Sequence, residues 1–400
     1  MPPAPPPVIR PVRDDELVAW FSAFSTAFYI WASDPQASAA ARREHLDLQR
    51  TIGAFEGDTI VGTFRSFPTK LTLPGNARLD VGAVSAVSVR PTHRRRGTLS
   101  RMIAYDVDRA VAAGEAASIL IASEWPIYGR FGFGPATWQA TWTLRTKIAR
   151  FLVEPVGSLE IVDVPTAREL VPGIYDRAAA RRPGEIARPD HRWDFDLGVR
   201  EIPGRPRWRG SIVIHRDADG RPDGFARFHG EEKWSEMLPD HVLALDELHA
   251  ATLEAEIDLW RHLAQMDLTT TIKAETRRTE EPFPWFLADA RLAQPGGVSD
   301  FLWVRILDVP KVLGSRAYER DGELVLEVTD TVDGRPGPAA GRYRLFANGG
   351  AASCERTDAS PDLTIDVRAL SAASLGGTRL SNATRTSPMT AAPPWCATFF

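Results

Sequence analysis

Alternating apolar and small residues from Val84 to Val89 predict a β-strand, because successive side chains of a strand point to opposite faces. A basic segment, Arg94 to Gly97, follows, and a helical pattern begins after it. Gly114 is a typical C-terminal stop for that helix, and residues 117–123 form a short apolar run that predicts a buried strand. The order strand–turn–helix–strand is that of a βαβ unit with parallel strands. One helix face carries all the apolar positions: Leu99, Met102, Ile103, Val107, Ala110 and Val111.

The turn that opens this helix has the composition of a phosphate-binding loop. Free backbone N–H groups at a helix N-terminus and the positive end of the helix dipole attract phosphate, and arginines add charge-assisted contacts. Gly97 lets the backbone approach a ligand closely. A basic triplet also occurs as ordinary solvated surface, but its place between a strand and a helix favours the phosphate loop. Arg94 to Leu99 resembles the pyrophosphate loop of the GNAT acetyltransferases.

Two segments resemble one GNAT branch, the enhanced intracellular survival (Eis) family. They are residues 91–97, Pro-Thr-His-Arg-Arg-Arg-Gly, and residues 123–137, Ser-Glu-Trp-Pro-Ile-Tyr-Gly-Arg-Phe-Gly-Phe-Gly-Pro-Ala-Thr. The final residue, Phe400, also matches the family's C-terminal phenylalanine. The resemblance extends along the chain in length and in segment order, and it is densest in residues 81–137. It implies an N-acetyltransferase.

The remaining periodicity predicts two further regions. Residues 242–248 and 269–273 read as strands around a helix whose apolar face contains Leu253, Ile257, Trp260 and Ala264. This repeats the βαβ order without glycine or arginine between Leu245 and Leu253, so we expect a structural second copy that holds no cofactor. From Asp300, strand-like segments at 301–307, 323–328 and 341–346 and a helical stretch at 370–375 resemble the sterol-carrier-like domain of the Eis family.

These patterns predict an α/β protein with mixed α+β sheets. We expect a GNAT domain with an acetyl-CoA site at 1–150, a degenerate second GNAT-like domain at 151–290, and a sterol-carrier-like α/β domain at 291–400 that ends in the active site. A helix over residues 14–31 and a hairpin of residues 50–55 and 59–67 belong to the first domain.

Composition narrows the class of protein. Four hundred residues predict two or three domains. The sequence contains no run of about 18 apolar residues, so we expect no membrane span. Two cysteines provide no disulfide framework and no zinc cluster, which suits a reducing cytoplasm. The net charge of −4 argues against a general nucleic-acid binder. The resemblance further implies a homo-oligomer, a hexamer, with no metal.

Acetyl transfer needs a binding site for the cofactor, and the resemblance assigns this site to the first βαβ unit. Arg94, Arg95 and Gly97 would hold the pyrophosphate, and the N–H of Thr98 would join them. Backbone groups of the strand at Val87 and Val89 would pair with the pantetheine arm, while their side chains pack in the core. Ser123 ends the neighbouring strand, where the two strands would diverge to admit the thioester.

The reaction also needs an acid for the departing thiolate and a base for the amine. Tyr128 is the candidate acid, since a phenol with a pKa near ~10 can protonate a thiolate whose acid has a pKa near ~8.5. A tyrosine between Ile127 and Gly129 also suits core packing; the family motif in register favours the catalytic role. The family's base is the C-terminal carboxylate, here that of Phe400. His93 is interpreted as a surface or phosphate-side residue of the turn rather than a general base, and Glu124 as a structural residue rather than a group that positions water.

The acceptor is an amine of a small molecule or a peptide lysine. Family members that acetylate aminoglycosides have acidic residues at two positions that are Ala27 and Phe399 here. This change favours a less cationic or aromatic amine over an aminoglycoside-like one. The alternative is a non-catalytic protein that keeps the CoA fold for ligand binding or assembly.

If the Phe400 carboxylate handles the amine proton, a C-terminal extension of a few residues moves that charge out of the site. Turnover should then fall by about 10²-fold, the usual scale for losing a positioned base. Acetyl-CoA affinity should be kept, because the pyrophosphate loop lies elsewhere in the chain. Steady-state kinetics, calorimetry and melting temperature should be measured together. An extended enzyme as active and as stable as the original removes Phe400 from the mechanism.

Overall fold

A computed structural model describes residues 5–30, 34–201, 203, 206–332 and 335–383. The chain divides into two compact units. The first unit contains residues up to Thr137, the short segment Glu201–Pro206, and residues from Leu302 onward. The second unit contains Trp138–Arg200 and Arg207–Phe301. The first unit is therefore built from both ends of the chain.

Among the described residues, the N-terminal part of the first unit contains six strands, which belong to a mixed sheet, and four helices. Short 3-10 turns at Asp14–Glu16, Pro91–His93 and Gly129–Phe131 connect some of them. The elements are β1 Val8–Pro11, α1 Leu17–Ala27, α2 Pro35–Arg43, β2 Thr51–Glu56, β3 Thr59–Thr72, β4 Arg78–Val89, α3 Thr98–Ala112, β5 Ala117–Ile121, α4 Trp125–Tyr128 and β6 Gly134–Pro135.

The second unit is built around one sheet with the strand order β15-β7-β14-β13-β10-β9-β8. Its β13 and β14 are parallel and are joined by α7, so the unit repeats the βαβ order of the first. Its elements are β7 Trp138–Arg145, β8 Ser158–Val162, α5 Val164–Ala179, α6 Asp190–Asp196, β9 Ser211–Arg216, β10 Pro222–Glu231, β11 Trp234–Ser235, β12 Leu238–Pro239, β13 His241–Ala250, α7 Leu253–Ala264, β14 Thr269–Arg278 and β15 Ala293–Asp300.

The C-terminal part of the chain completes the first unit. Its first strand, β16, enters the N-terminal sheet, which has the order β1-β2-β3-β4-β5-β16-β6. The other strands include a separate four-stranded sheet of order β21-β20-β17-β22. The elements are β16 Leu302–Ile306, α8 Val309–Ser315, β17 Gly322–Thr329, β18 Thr331–Val332, β19 Arg335–Pro336, β20 Gly341–Asn348, β21 Ala351–Arg356, β22 Leu363–Asp366, α9 Val367–Ala373 and α10 Leu380–Ala383.

The predicted α/β fold class with mixed sheets is confirmed. The strand predicted at 84–89 is the second half of β4, and the helix predicted from Leu99 is α3, which ends two residues before Gly114. The strand–helix–strand order of the second copy is also found, as β13, α7 and β14. The helix predicted over residues 14–31 is shorter, because a 3-10 turn at Asp14–Glu16 precedes α1 and α1 ends at Ala27.

The domain boundaries 1–150, 151–290 and 291–400 stay a prediction. The structure shows how the strands near the last boundary are distributed: β15 pairs with β7 in the second unit, and β16 pairs with β5 and β6 in the first. No helix among the described residues is long and apolar enough to cross a membrane. No group of His, Cys, Asp and Glu in the described ranges could hold a metal ion.

A buried histidine ties together four segments of the second unit. His215 on β9 is 1% exposed, and its Nδ1 lies 2.6 Å from a carboxylate oxygen of Asp223 on β10. Its Nε2 lies 3.2 Å from Asp258 on α7, which also accepts from the backbone N–H groups of Val156 and Gly157. Because both ring nitrogens face carboxylates, both can donate only when the ring is an imidazolium. Burial opposes this charge, but the hydrogen bonds and charges of the two aspartates outweigh it and raise the pKa of His215.

The raised pKa predicts that the contribution of His215 to stability falls with increasing pH. The contribution of His215 is fully present below the unfolded pKa of about 6.5 and is lost as the pH rises through the higher folded pKa. Each unit by which the pKa is raised corresponds to about 1.4 kcal/mol. Thermal unfolding followed by circular dichroism from about pH 6 to about pH 9 measures this slope. His215→Gln, which cannot carry the charge, should remove it; parallel curves for the two proteins would exclude this role.

Candidate active site

The centre of the candidate site is the place where two parallel strands diverge. β4 and β5 pair at three positions, Val81↔Ala117, Gly82↔Ser118 and Ala83↔Ile119. Pairing stops there, although β4 continues to Val89 and β5 to Ile121. Among the described strands, none takes the place of β5 beside the last six residues of β4. On the edge that faces away from β3, the backbone N–H and C=O groups in this part of β4 are therefore left for a ligand, a side chain or solvent.

A bulge lies in the part of β4 that pairs with β3 but not with β5. The register between β3 and β4 shifts between Thr63 and Arg65, and Ala86 opposite the shift has a φ of +52°. A non-glycine residue in this region is strained, and it needs support from its surroundings. Thr63 supplies that support, because its hydroxyl donates to the Ala86 carbonyl at 2.8 Å and lies 2.7 Å from the Ser88 hydroxyl. The bulge lies immediately before Val87, so it sets the backbone direction of the predicted pantetheine-binding positions.

The loop after β4 leads directly into the N-terminus of α3. Arg95 has a φ of +61° and Gly97 a φ of +73°, and Gly97 is the N-cap residue of α3 without a side-chain cap. The N–H groups of the first turn, at residues 98–100, therefore have no capping side chain. A Cβ at Gly97 would meet no atom within 4 Å, so the loop surface is open on that side. The turn provides the free donors that an anion needs.

The side chains of Arg94, Arg95 and Arg96 are exposed, and none of the three forms an ion pair in the part of the chain that the structure describes. Arg94 Nε donates to the Val89 carbonyl at 3.4 Å, but no carboxylate neutralises the three guanidinium groups among the described residues, so this surface beside a helix N-terminus attracts a polyanion. His93 is different, because its Nε2 lies 2.9 Å from Glu56 and its Nδ1 lies 2.8 Å from the Thr92 hydroxyl. Both ring nitrogens of His93 therefore have a partner within the loop and β2, and its surface or phosphate-side role stays a prediction.

Tyr128 lies at the opposite end of the divergence, where β4 and β5 separate. It is the last residue of α4 and is 6% exposed. A narrow cavity is lined by Tyr128 together with Val84 of β4 and Leu120 of β5, the first residues after the last paired positions. Phe64, Ile103, Asp106, Val107, Ser118 and Phe133 complete the lining. The phenol therefore borders the point at which the two strands open.

The surroundings keep this phenol protonated. Burial, and then the negative charge of Glu124, raise the pKa of Tyr128 to about 12. Its ring packs edge-to-face against Phe133 with 5.9 Å between the ring centroids. With this pKa, Tyr128 stays protonated at every physiological pH and does not act as a base.

The structure thus brings together the predicted residues of β4, the basic loop and Tyr128 around one pair of strands. Val87 and Val89 are half-buried and pack against the core of the first sheet, and Ser123 is exposed two residues beyond the end of β5. Thr98 is buried, so only its backbone N–H suits the predicted contact. Phe400 and Phe399 lie outside the described residues.

In the second copy, β13 and β14 also diverge, but a side chain of the protein crosses the gap between them. β13 and β14 pair as far as Leu245↔Ala274, although the strands continue to Ala250 and Arg278. Arg277 spans the opening, and its Nη1 donates to the Leu248 carbonyl at 2.7 Å. Glu256 and Glu281 hold the same guanidinium from the other side. Arg277 therefore bridges the gap between these two strands, and the prediction that the second copy holds no cofactor stays a prediction.

Sequence analysis missed the residues that shape the opening. Nothing in the run of small residues around Ala86 indicated the bulge, since its partner Thr63 is 23 residues away. It also missed that Trp303 and Arg305 of β16 lie beside the Tyr128 segment, with Trp303 in the same apolar cluster. A signal for Arg305 was present, because a lone charge inside an apolar strand is unusual.

Family comparisons agree with this geometry. Residues 8–136 and residues 184–306 each match an acetyltransferase (GNAT) domain family, and residues 309–397 match a sterol carrier protein domain family. An uncharacterized N-acetyltransferase of Streptomyces griseus is 38% identical over 376 residues, which cover 92% of this chain and 89% of that protein. N-acetyltransferase Eis of Mycobacterium tuberculosis is 35% identical over 340 residues, covering 82% of this chain and 79% of that protein.

Solved structures agree as well. Eis1 from Mycobacterium abscessus superposes with a TM-score of 0.84 and 29% identity, covering 98% of this chain and 96% of that one. A GCN5-related N-acetyltransferase from Anabaena variabilis shares the fold, with a TM-score of 0.82 at 16% identity and coverage of 98% and 97%. The motif around Tyr128, the diverging strands and these relatives lead to one conclusion: the chain is an N-acetyltransferase that belongs to the Eis family of GNAT proteins.

Proposed function

We propose that this protein transfers the acetyl group of acetyl-CoA to an amine. The observation that carries the proposal is the opening between β4 and β5. A basic loop whose arginines form no ion pair among the described residues follows the end of β4, and a protonated phenol lies where the strands separate. A long thioester with a pyrophosphate near one end and a reactive carbonyl at the other suits such an opening. No metal is needed for this chemistry.

The grip on the cofactor is assigned to the loop and to the unpaired strand. Arg94 and Arg95 supply charge to the pyrophosphate, and the backbone of Gly97 and Thr98 supplies N–H donors at the start of α3. Free backbone groups of β4 near Val87 and Val89 would pair with the amides of the pantetheine arm. Ser123 lies beyond the end of β5 and would border the same opening.

The chemical step needs a proton donor and a proton acceptor. Tyr128 would donate its phenolic proton to the thiolate as the C–S bond breaks, and the buried, apolar wall favours a neutral leaving thiol over a thiolate. The amine loses a proton as its nitrogen forms the new C–N bond. The carboxylate of Phe400 is the proposed acceptor of that proton, directly or through water.

The acceptor is proposed to be an amine with little positive charge and an aromatic or apolar body. Ala27 ends α1, and the residues after it, Phe28, Tyr29 and Ile30, are exposed. The Phe28 ring packs on Phe24 with centroids 4.8 Å apart. Such a surface suits an aromatic amine or an arylalkylamine better than an aminoglycoside, which would need carboxylates. A peptide lysine remains the second candidate acceptor.

The proposal also includes the cellular setting. We propose a homo-oligomer, a hexamer, in the cytoplasm, because the family resemblance implies the assembly and two cysteines suit a reducing compartment. Sedimentation velocity of the full chain tests the assembly. A panel of arylalkylamines, aminoglycosides and lysine peptides with acetyl-CoA, read by release of free thiol, tests the acceptor.

Replacing Arg94 and Arg95 together by alanine should weaken acetyl-CoA binding by at least about tenfold, because each charge-assisted phosphate contact contributes roughly 1–3 kcal/mol. The melting temperature should stay unchanged, since both side chains are exposed and form no ion pair among the described residues. Isothermal calorimetry with acetyl-CoA measures the effect.

The matched control removes two exposed arginines of the second unit, Arg209→Ala with Arg221→Ala, and changes the net charge equally. Its affinity for acetyl-CoA should equal that of the original protein. If the loop variant binds as tightly as the control, the pyrophosphate does not lie on this loop.

Tyr128→Phe should lower kcat by about 10²-fold and leave the affinity for acetyl-CoA nearly unchanged, because it removes a proton donor and keeps the ring. The raised pKa adds a second expectation. A phenol with a pKa of about 12 stays protonated as the pH rises, so kcat of the original enzyme should show no falling limb near pH ~10 from this group.

Tyr175→Phe is the control for this substitution, because Tyr175 is a buried tyrosine of the second unit whose hydroxyl donates to Glu185 and Ile186. Its kcat should match the original enzyme. Equal turnover of Tyr128→Phe and the original across the pH range would assign Tyr128 to packing alone.

A further inference from the structure

The segment that carries Tyr128 rests on a strand from the far end of the chain. β16 pairs with β5 along its whole length, with Trp303 opposite Leu120 and Arg305 opposite Ser118. Residues two apart on a strand share a face, and cross-strand partners share it too. Leu120 and Ser118 line the same narrow cavity as Tyr128. Trp303 and Arg305 therefore lie on the sheet face that the Tyr128 segment covers.

Trp303 supports the beginning of that segment. Its side chain is completely buried, and its ring meets the ring of Trp125 edge-to-face with 5.0 Å between centroids. Trp125 is the first residue of α4, three residues before Tyr128. Trp303 also belongs to the apolar cluster that contains Tyr128 and Phe131.

Arg305 supports the end of the same segment. It is completely buried, and a Cβ built on Gly132 would lie 1.8 Å from its Nη1. Gly132 has a φ of +81° and ends the turn that follows Tyr128, so both the backbone conformation and the guanidinium require glycine there. Nη2 of Arg305 lies 3.3 Å from each carboxylate oxygen of Asp330, which fixes the guanidinium from the other side.

Stability does not explain this arginine. Its Nε and Nη1 have no hydrogen-bond partner among the described residues. A buried ion pair with unsatisfied donors is often no more stable than apolar side chains of the same size, because desolvation of the charges opposes their attraction. The Arg305–Asp330 pair nevertheless lies against the backbone at Gly132, four residues after the tyrosine. The pair therefore fixes the position of the backbone segment that follows Tyr128.

We propose that Trp303 and Arg305 are positioning residues for Tyr128, so that β16 fixes where the phenol lies relative to the opening between β4 and β5. The proposal rests on the proposed role of Tyr128 as the acid. Neither residue touches a substrate atom, and both act through the α4 segment. The C-terminal part of the chain thus contributes to the chemical step through a strand, in addition to the proposed carboxylate at its end.

A double-mutant cycle tests the proposal. Arg305→Met keeps an unbranched stem and removes the guanidinium; it should lower kcat by about tenfold and leave the KM for acetyl-CoA within about twofold, because a displaced acid slows only the chemical step. In a Tyr128→Phe background the same change should lower kcat less than about twofold, since there is no acid left to displace. Arg316→Met, another buried arginine of the C-terminal part, which donates to the Ala373 carbonyl, should leave kcat unchanged.

A second readout is independent of turnover. With tyrosines labelled by ¹³C at Cζ, the Tyr128 resonance, assigned by its loss in Tyr128→Phe, should shift in Arg305→Met and stay in place in Arg316→Met. If Tyr128→Phe turns out fully active while this resonance still shifts, the acid role fails and the positioning stands. An unshifted resonance, or equal losses of kcat in both backgrounds, overturns the positioning. If Arg305→Met does not fold, Trp303→Phe is measured in the same way with the same expected directions.

Discussion

The early end of pairing between β4 and β5 is the constraint on which the rest of the first unit depends. Three paired positions hold the strands together, and beyond Ala83 and Ile119 each backbone must find other partners. Each strand keeps its partner on the other side, β3 for β4 and β16 for β5, so the groups without a strand partner lie on the two facing edges and need a ligand, a side chain or water. The bulge at Ala86, the basic loop and the phenol of Tyr128 all lie along this opening. The same local defect in the sheet therefore makes the groove and places chemical groups at both of its ends.

The second unit shows what happens when the defect is closed from within. Its strands separate in the same way after Leu245 and Ala274, yet Arg277 crosses the gap and bonds the Leu248 carbonyl. Two glutamates pair with that arginine, so its charge is compensated inside the protein. The two copies thus solve one structural problem in opposite ways. The first leaves backbone groups of β4 free on one edge, and the second bridges its gap with the side chain of Arg277.

Much of the local structure could be predicted because it follows from local periodicity. The α3 face, the strand ending at Val89 and the repeated order around α7 each depend on residues within about twenty positions. The position of β16 in the N-terminal sheet could not be predicted in this way, because the local pattern of residues 301–307 predicts a strand but not the sheet that the strand joins. The position of Tyr128 came from the family motif, and the reason for its protonation, burial beside Glu124, became visible only with the fold. Thr63 and Ala86 were missed because their contact joins two strands whose sequences look ordinary.

The origin of β16 has a consequence for how the chain folds during synthesis. The edge of β5 that β16 covers is apolar, and it stays unpaired until residue 306 has left the ribosome. Until then the N-terminal sheet is incomplete, and an exposed apolar edge is a template for pairing with other chains. Contacts between residues about 180 positions apart are also slow to form, since a long loop must close first. We therefore expect the nascent N-terminal half to be prone to aggregation until β16 has been synthesised.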